Sequence, residues 1–195
     1  VDLGAYRAKA AKFPQPTICC VSRLTPQKRV IDLIEAIALL KERIPSVRCK
    51  IIGVGAEQEK LQQRAKALGI SDHVQFLGFI KKHSEVVKVI KRSHVLCLPS
   101  VVEGFGIIVL EAMASGVPYV CTDIPPLKEI TDSGKGGLLA HQHDPAHLAA
   151  QLRTLLEDKR LLERKSKEGL VFVQRYAWQQ QAKKLKQVYT EVMRQ

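Results

Sequence analysis

Two cations and two carboxylates carry the chemistry this sequence offers. Arg23 and Lys28 lie in the segment Ser22-Arg23-Leu24-Thr25-Pro26-Gln27-Lys28, which follows the apolar, β-branched run Thr17 to Ser22. Such a run reads as a buried strand. From Val30 to Arg43 the apolar positions Val30, Ile34, Ile37 and Leu40 repeat at helical spacing. Both cations therefore fall in a strand-to-helix loop, beside a helix N-terminus. Positive side chains and free backbone N–H groups in one place suit a diphosphate. In a chain with 31 Lys and Arg against 19 Asp and Glu, the same residues also read as two surface cations, and spacing alone leaves both open.

The carboxylates are Glu103 and Glu111. Glu103 opens a glycine-flanked loop, Glu103-Gly104-Phe105-Gly106, and Glu111 sits within the apolar stretch Ile107 to Ala114. A carboxylate in such a helix needs a partner, and paired sugar hydroxyls are donors that it accepts bidentately. The alternatives are a salt bridge or a solvent-facing position for Glu111, and an ordinary loop carboxylate for Glu103. Gly53-Val54-Gly55 permits close backbone approach to a ligand and equally makes a plain tight turn. Gln58 stands where a dinucleotide fingerprint needs its third glycine, and no Walker-type G-K-[ST] occurs. His141, His143 and His147 divide between a loop and a helix start, and there is no Asp-x-Asp triplet, so no metal is expected. No G-x-S-x-G elbow appears.

The elements that must position these residues alternate. Further strands are predicted at Val47 to Gly53, Val74 to Leu77, Val95 to Leu98, Pro118 to Thr122 and Gly137 to Leu139. Helices are predicted at Glu57 to Leu68, His83 to Lys91 and Gly106 to Ser115. Another starts at Asp144-Pro145, an N-cap followed by Pro at the first helical position. Strand–helix alternation of this kind implies an α/β, doubly wound parallel sheet of about six strands, Rossmann-like, with ligands at the carboxyl ends of the strands. Helical stretches near Lys159 to Gln174 and Ala177 to Arg194 close the chain. Residues 1–16 read as a connecting segment, 17–175 as the domain proper and 176–195 as a closing helix.

The totals narrow the setting. The 195 residues suffice for one domain, 46% of them hydrophobic and 26% charged, a globular mixture. No apolar run spans a bilayer, and the start carries no signal peptide. The chain begins without Met and reads as part of a longer protein. Five cysteines, each in a strand-like run and none in C-x-x-C spacing, point to buried, reduced thiols and a cytoplasmic location. The net charge of +12 favours anionic partners, or reflects solvated helix faces. Aromatics at 5% and the lack of a helix-turn-helix or RNP-type motif argue against nucleic acid. Peripheral membrane contact through the basic helices is compatible with the charge.

The motifs occur in a characteristic order: Arg23 and Lys28, Gly53-Val54-Gly55, Val74-Gln75-Phe76-Leu77-Gly78, Pro99-Ser100, Glu103-x7-Glu111 with Ala112, then Gly116 and Pro118. This resembles the C-terminal domain of retaining, two-Rossmann-domain (GT-B) glycosyltransferases of the glycogen-synthase and sucrose-synthase-like group, over nearly the whole chain. The resemblance implies a nucleoside-diphosphate sugar as substrate and no cofactor. Arg23 and Lys28 would hold the diphosphate, Glu111 the ribose hydroxyls, and Glu103 the donor sugar, with the backbone of Gly104, Phe105 and Gly106 nearby. The base would lie near Gly78 to Ile80. The family's acceptor site lies in an N-terminal domain that this chain lacks, so the isolated domain would bind donor without transferring sugar. A non-catalytic nucleotide-binding or regulatory module of the same fold is the alternative. Three positions depart from the pattern. Arg29 follows the lysine where glycine is usual, Val54 replaces an acidic residue, and Pro125-Pro126 replaces a Gly-Gly turn. The prolines, with no N–H and no access to positive φ, remove donors from that loop.

Overall fold

The computed structural model describes residues 1–6 and 10–193. Six strands form one sheet: β1 (Thr17–Val21), β2 (Arg48–Ile52), β3 (Val74–Gly78), β4 (Val95–Leu98), β5 (Tyr119–Thr122) and β6 (Gly137–Ala140). Their order is β3-β2-β1-β4-β5-β6, and every pair is parallel. Parallel neighbours require crossovers. These are α1 (Val30–Arg43), α2 (Gln58–Ala67), α3 (His83–Arg92), α4 (Ile107–Ala114) and α5 (Pro125–Thr131). After β6 come α6 (Pro145–Glu157), α7 (Lys159–Phe172) and α8 (Trp178–Val192). The doubly wound α/β architecture expected from the sequence is the one observed.

Helices cover both faces, which is why the strands are apolar at successive positions and not only at alternate ones. Ile18 and Cys20 of β1 join a core with Ile34, Ile37 and Leu40 of α1 and Leu152 of α6. Cys19, between them, points into the opposite core with Leu96, Val109 and Leu110. All five cysteines are free and buried. Burial pushes the Cys19 thiol up to about 12 and that of Cys20 to about 11, so both stay protonated.

Helix α5 was not anticipated. Pro125 and Pro126 occupy its first turn after Ile124, where a missing N–H breaks no intrahelical bond and φ is already suitable. The prolines start a helix of 7 residues and do not interrupt a turn. The expected connecting segment contains a 3-10 turn at Leu3–Tyr6 with Tyr6 buried; its residues 7–9 lie outside the described residues, as does the expected helix end at Arg194.

Candidate functional site

In the order 3-2-1-4-5-6 the connections leave β1 and β4 toward opposite faces of the sheet, opening a crevice at their carboxyl ends. The loops after these two strands meet there, with the Val101 N–H donating to the Gln27 carbonyl at 2.9 Å. Across the crevice Lys28 Nζ donates to Glu103 Oε1 at 2.6 Å, and the two side chains are only 14% and 10% exposed. The structure thus brings together two residues that the sequence singled out separately. Arg23, on the same loop as Lys28, is exposed and pairs with no carboxylate among the described residues.

The cation-bearing loop is held from two sides. Lys28 ends a 3-10 turn, Pro26–Lys28, and Arg29 follows in the left-handed region with φ 47° and ψ 35°. That is where the family pattern has glycine, because a side chain there costs roughly 1–2 kcal/mol. Here the Arg29 guanidinium is tied to Asp32 on α1, with Nε donating at 3.0 Å and Nη2 to the other carboxylate oxygen. Asp32 is itself buried. From the other side the loop after β2 lies directly on the loop after β1. Leu24 N–H donates to the Val54 carbonyl and Glu57 N–H to the Leu24 carbonyl, both at 3.0 Å. A Cβ on Gly53 would sit 1.9 Å from the Ser22 oxygen, and one on Gly55 2.2 Å from the Leu24 oxygen. The close approach these glycines permit is therefore to the neighbouring backbone, and it fixes the loop that presents Arg23.

Beside Arg23 opens a cavity of about 430 Å³ with mainly apolar walls, among them Ile52, Val54, Phe79 and Ile80. Gly78, at φ +65°, turns the chain at the end of β3 and accepts from Gly53 N–H at 2.8 Å. Phe79 is 74% exposed, and it and His83 line the cavity. The range Gly78 to Ile80 expected beside the base contains Phe79 without singling it out, whereas His83 was read only as the start of a helix, and nothing in the sequence marked it. A larger cavity of about 580 Å³ lies between Leu3–Tyr6 and the start of α8, with Asp2 as its one charged lining residue. Through Tyr6 it backs onto the Glu111 site, but it is lined by neither Arg23, Lys28, Glu103 nor Glu111.

Glu111 is buried in α4 at 8% exposure. Its Oε1 lies 3.3 Å from His83 Nε2, and the Tyr6 hydroxyl hydrogen-bonds it. Burial raises its carboxyl above the usual range, while His83 and Tyr6 oppose that rise. The partner that an apolar helix demanded is thus present, in the form of the His83 imidazole. Gly106 caps α4 at φ +77°, where a Cβ would meet Leu127 Cδ2 at 2.4 Å. Phe105 is half exposed and stacks edge-on to Tyr176 at 6.3 Å. A Cβ on Gly104 would meet nothing within 4 Å, so the bareness of that position leaves room beside Glu103.

The histidine segment behaves differently from a three-histidine site. His141, Asp144 and His147 each bring a ligand atom within 4.8 Å of the others, whereas His143 stays outside the group. Both ring nitrogens of His147 are engaged, Nδ1 by the His141 amide at 3.0 Å and Nε2 by the Gln151 amide at 2.8 Å. Asp144 accepts the His147 N–H at 2.8 Å and so caps α6. These contacts account for the cluster as a helix start. Among the described residues no helix is long and apolar enough to cross a membrane.

Comparison with known proteins agrees with this geometry. A family profile described as glycosyl transferases group 1 matches residues 5–170. The D-inositol 3-phosphate glycosyltransferase of Corynebacterium urealyticum is 34% identical over 193 residues, 95% of this chain and 45% of that protein. Anabaena HepE, solved in complex with UDP and glucose, aligns with a TM-score of 0.82 at 24% identity, over 96% of this chain and 55% of that one. The C-terminal domain of a group 1 family glycosyl transferase, LpcC, from Francisella tularensis aligns with a TM-score of 0.80 at 22% identity, covering 91% of this chain and 99% of that one. The chain spans about half the length of the curated relatives it matches. The solved structures carry the likeness of fold. By the profile match and the sequence identity, the chain belongs to the group 1 glycosyltransferases.

Proposed function

We propose that this domain binds a nucleoside-diphosphate sugar as the donor of a retaining glycosyltransferase, and that the full-length protein transfers the sugar to an acceptor held by a further domain. The observation that carries this is the meeting of Lys28 and Glu103 across the β1–β4 crevice at 2.6 Å. Transfer breaks the bond between the anomeric carbon and the diphosphate oxygen. Negative charge grows on the leaving phosphate as the sugar becomes oxocarbenium-like. Lys28, largely buried, and Arg23, at the exposed rim, stabilise that charge electrostatically. A diphosphate that engages Lys28 also draws the ammonium from Glu103, freeing its carboxylate for the sugar hydroxyls. Glu111 takes the ribose, and the apolar cavity at Phe79 and Ile80 takes the base. Gly53, Gly55, Gly78, Gly104, Phe105 and Gly106 shape the backbone around the donor.

With two cations against the diphosphate, donor binding needs no divalent metal. The isolated domain binds donor without transferring sugar. That HepE was solved with UDP and glucose supports the nucleotide side of this proposal. Buried, protonated thiols support a reducing, cytoplasmic setting. The lysines of α8, beside the exposed Trp178, Leu185 and Tyr189, support peripheral contact with acidic membrane. A non-catalytic module of the same fold is favoured by one feature only, the two prolines that remove N–H donors from the first turn of α5. Sugar transfer by the full-length protein discriminates the two.

The direct test is calorimetric titration of the chain with UDP, GDP and ADP, bare and sugar-linked, in chelator and in magnesium. At least one diphosphate should bind in chelator, and its uncharged nucleoside should bind far more weakly. Silence across the panel, or binding only with metal, refutes the proposal.

A further inference from the structure

The carboxylate assigned above to the ribose is held by two other side chains. His83 Nε2 is 3.3 Å from Glu111 Oε1 and 3.3 Å from the Tyr6 hydroxyl, which hydrogen-bonds Glu111. The three groups come from three places in the chain: the Leu3–Tyr6 turn, the first residue of α3, and the middle of α4. An ionised Glu111 carboxylate can only accept, so a hydrogen bond to it from His83 places the hydrogen on Nε2, which also faces the Tyr6 hydroxyl. His83 also lines the apolar cavity next to Ile80 and Lys81, so one imidazole spans the base pocket and the carboxylate. An ionised carboxylate has about four lone-pair positions. Tyr6 and His83 occupy two, and the remaining two match a vicinal pair of hydroxyls.

We infer that His83 is a positioning residue of the nucleotide site: its Nε2–H fixes the Glu111 carboxylate so that the free lone pairs face a ribose, and it thereby sets a preference for ribo- over 2′-deoxyribonucleotides. This rests on the nucleotide-binding function proposed above. The groups that face the His83–Glu111 pair are Tyr6 from the N-terminal turn, and Lys81 and Arg23 along the cavity wall. Lys82 and Glu85 flank the ring on its own segment. Accepting two hydroxyls requires the ionised form of Glu111. Burial raises that carboxyl and His83 counteracts the rise, so affinity falls toward acid pH, and removing His83 moves the fall to higher pH.

The test is calorimetric titration of the chain with UDP and with 2′-deoxy-UDP, from mildly acid to mildly alkaline pH. The phosphates titrate identically in every variant, so differences between variants report the protein. His83 is at the surface, its side chain 58% exposed, and its replacement leaves the core intact. His83→Ala should lower the UDP to 2′-deoxy-UDP preference by roughly three- to tenfold, the worth of one hydrogen bond, by weakening UDP and sparing the deoxy form. Its loss of UDP binding in acid should begin at higher pH than in the parent. His83→Gln, whose amide supplies a neutral donor at the same reach, should recover the preference near neutrality but keep the displaced acid limb. If His83→Ala binds both nucleotides as the parent does, or weakens both equally, the inference is overturned while the nucleotide site stands. If the parent binds neither nucleotide at any pH, the proposed function fails and this inference with it.

Discussion

Lys28→Met separates the structural and ligand-binding duties of the crevice. In the folded chain Lys28 and Glu103 are 14% and 10% exposed and 2.6 Å apart. Methionine keeps the bulk of the stem but leaves the Glu103 carboxylate without its charged donor. A charged hydrogen bond is worth about 1.5–3 kcal/mol; a fully buried pair broken on one side costs more, about 3–5 kcal/mol. The residual exposure of this pair places the loss at about 1.5–3 kcal/mol, the range for a hydrogen bond to a charged group. In a chain of 195 residues each kcal/mol moves the melting point by about 2–4 °C, so Lys28→Met should melt roughly 3–12 °C lower. Arg23→Ala, which removes an exposed cation, should melt with the parent. Both variants should nevertheless weaken UDP by roughly 1–3 kcal/mol, as charge-assisted contacts to phosphate do, and added salt should narrow the gap. Uridine should bind each variant as it binds the parent. Lys28→Met combined with Glu103→Gln should recover most of the melting point, because no carboxylate is then stranded. The assays are thermal and urea denaturation, paired with calorimetric titration in the same buffer. If Lys28→Met melts with Arg23→Ala, the ion pair does not hold the crevice. If Lys183→Ala or Lys184→Ala, on exposed positions of α8, weakens UDP as much as Arg23→Ala does, the attraction is only that of a basic surface.

Three further outcomes are expected. Arg29→Gly removes a left-handed side chain worth roughly 1–2 kcal/mol of strain but strands the buried Asp32; it should lower urea stability in the parent and raise it in an Asp32→Asn background, and the same sign in both would refute the coupling. The Glu111 carboxyl is raised by burial, so the stability it contributes is full below the ordinary carboxylate range and is lost as pH rises through its folded value. Glu111→Gln should accordingly melt above the parent at neutral and alkaline pH, gain nothing in acid, and lose UDP affinity; a variant less stable at neutral pH contradicts this. Cys19, Cys20, Cys49, Cys97 and Cys121 are all buried, so a thiol reagent should find no rapidly reacting group in the native chain and all five once it is denatured.

Sequence alone determined the local elements and the residue types they carry. The β-branched run at Thr17 read as a buried strand, and the spacing of Val30, Ile34, Ile37 and Leu40 named the buried face of α1. The same holds for the cysteines, whose strand-like settings implied burial, and for Glu111, whose apolar helix demanded a partner. Each of these is a property of nearest neighbours along the chain. Three features escaped because their causes are not local. Strand–helix alternation implies a parallel sheet but not its order; only placing β1 beside β4 lets Lys28 reach Glu103 across 75 residues. Pro125-Pro126 reads as a break until Ile124 ends in extended backbone and the prolines fall in the first turn of a helix. The partners of Glu111 come from residues 6 and 83, which share no motif with it. The Gly53 and Gly55 turn was legible as a close approach, but what it approaches, the Ser22 and Leu24 carbonyls, was not. Periodicity reports which face of an element is buried. Which elements then share that burial is decided by the sheet as a whole, because both of its faces must be covered at once.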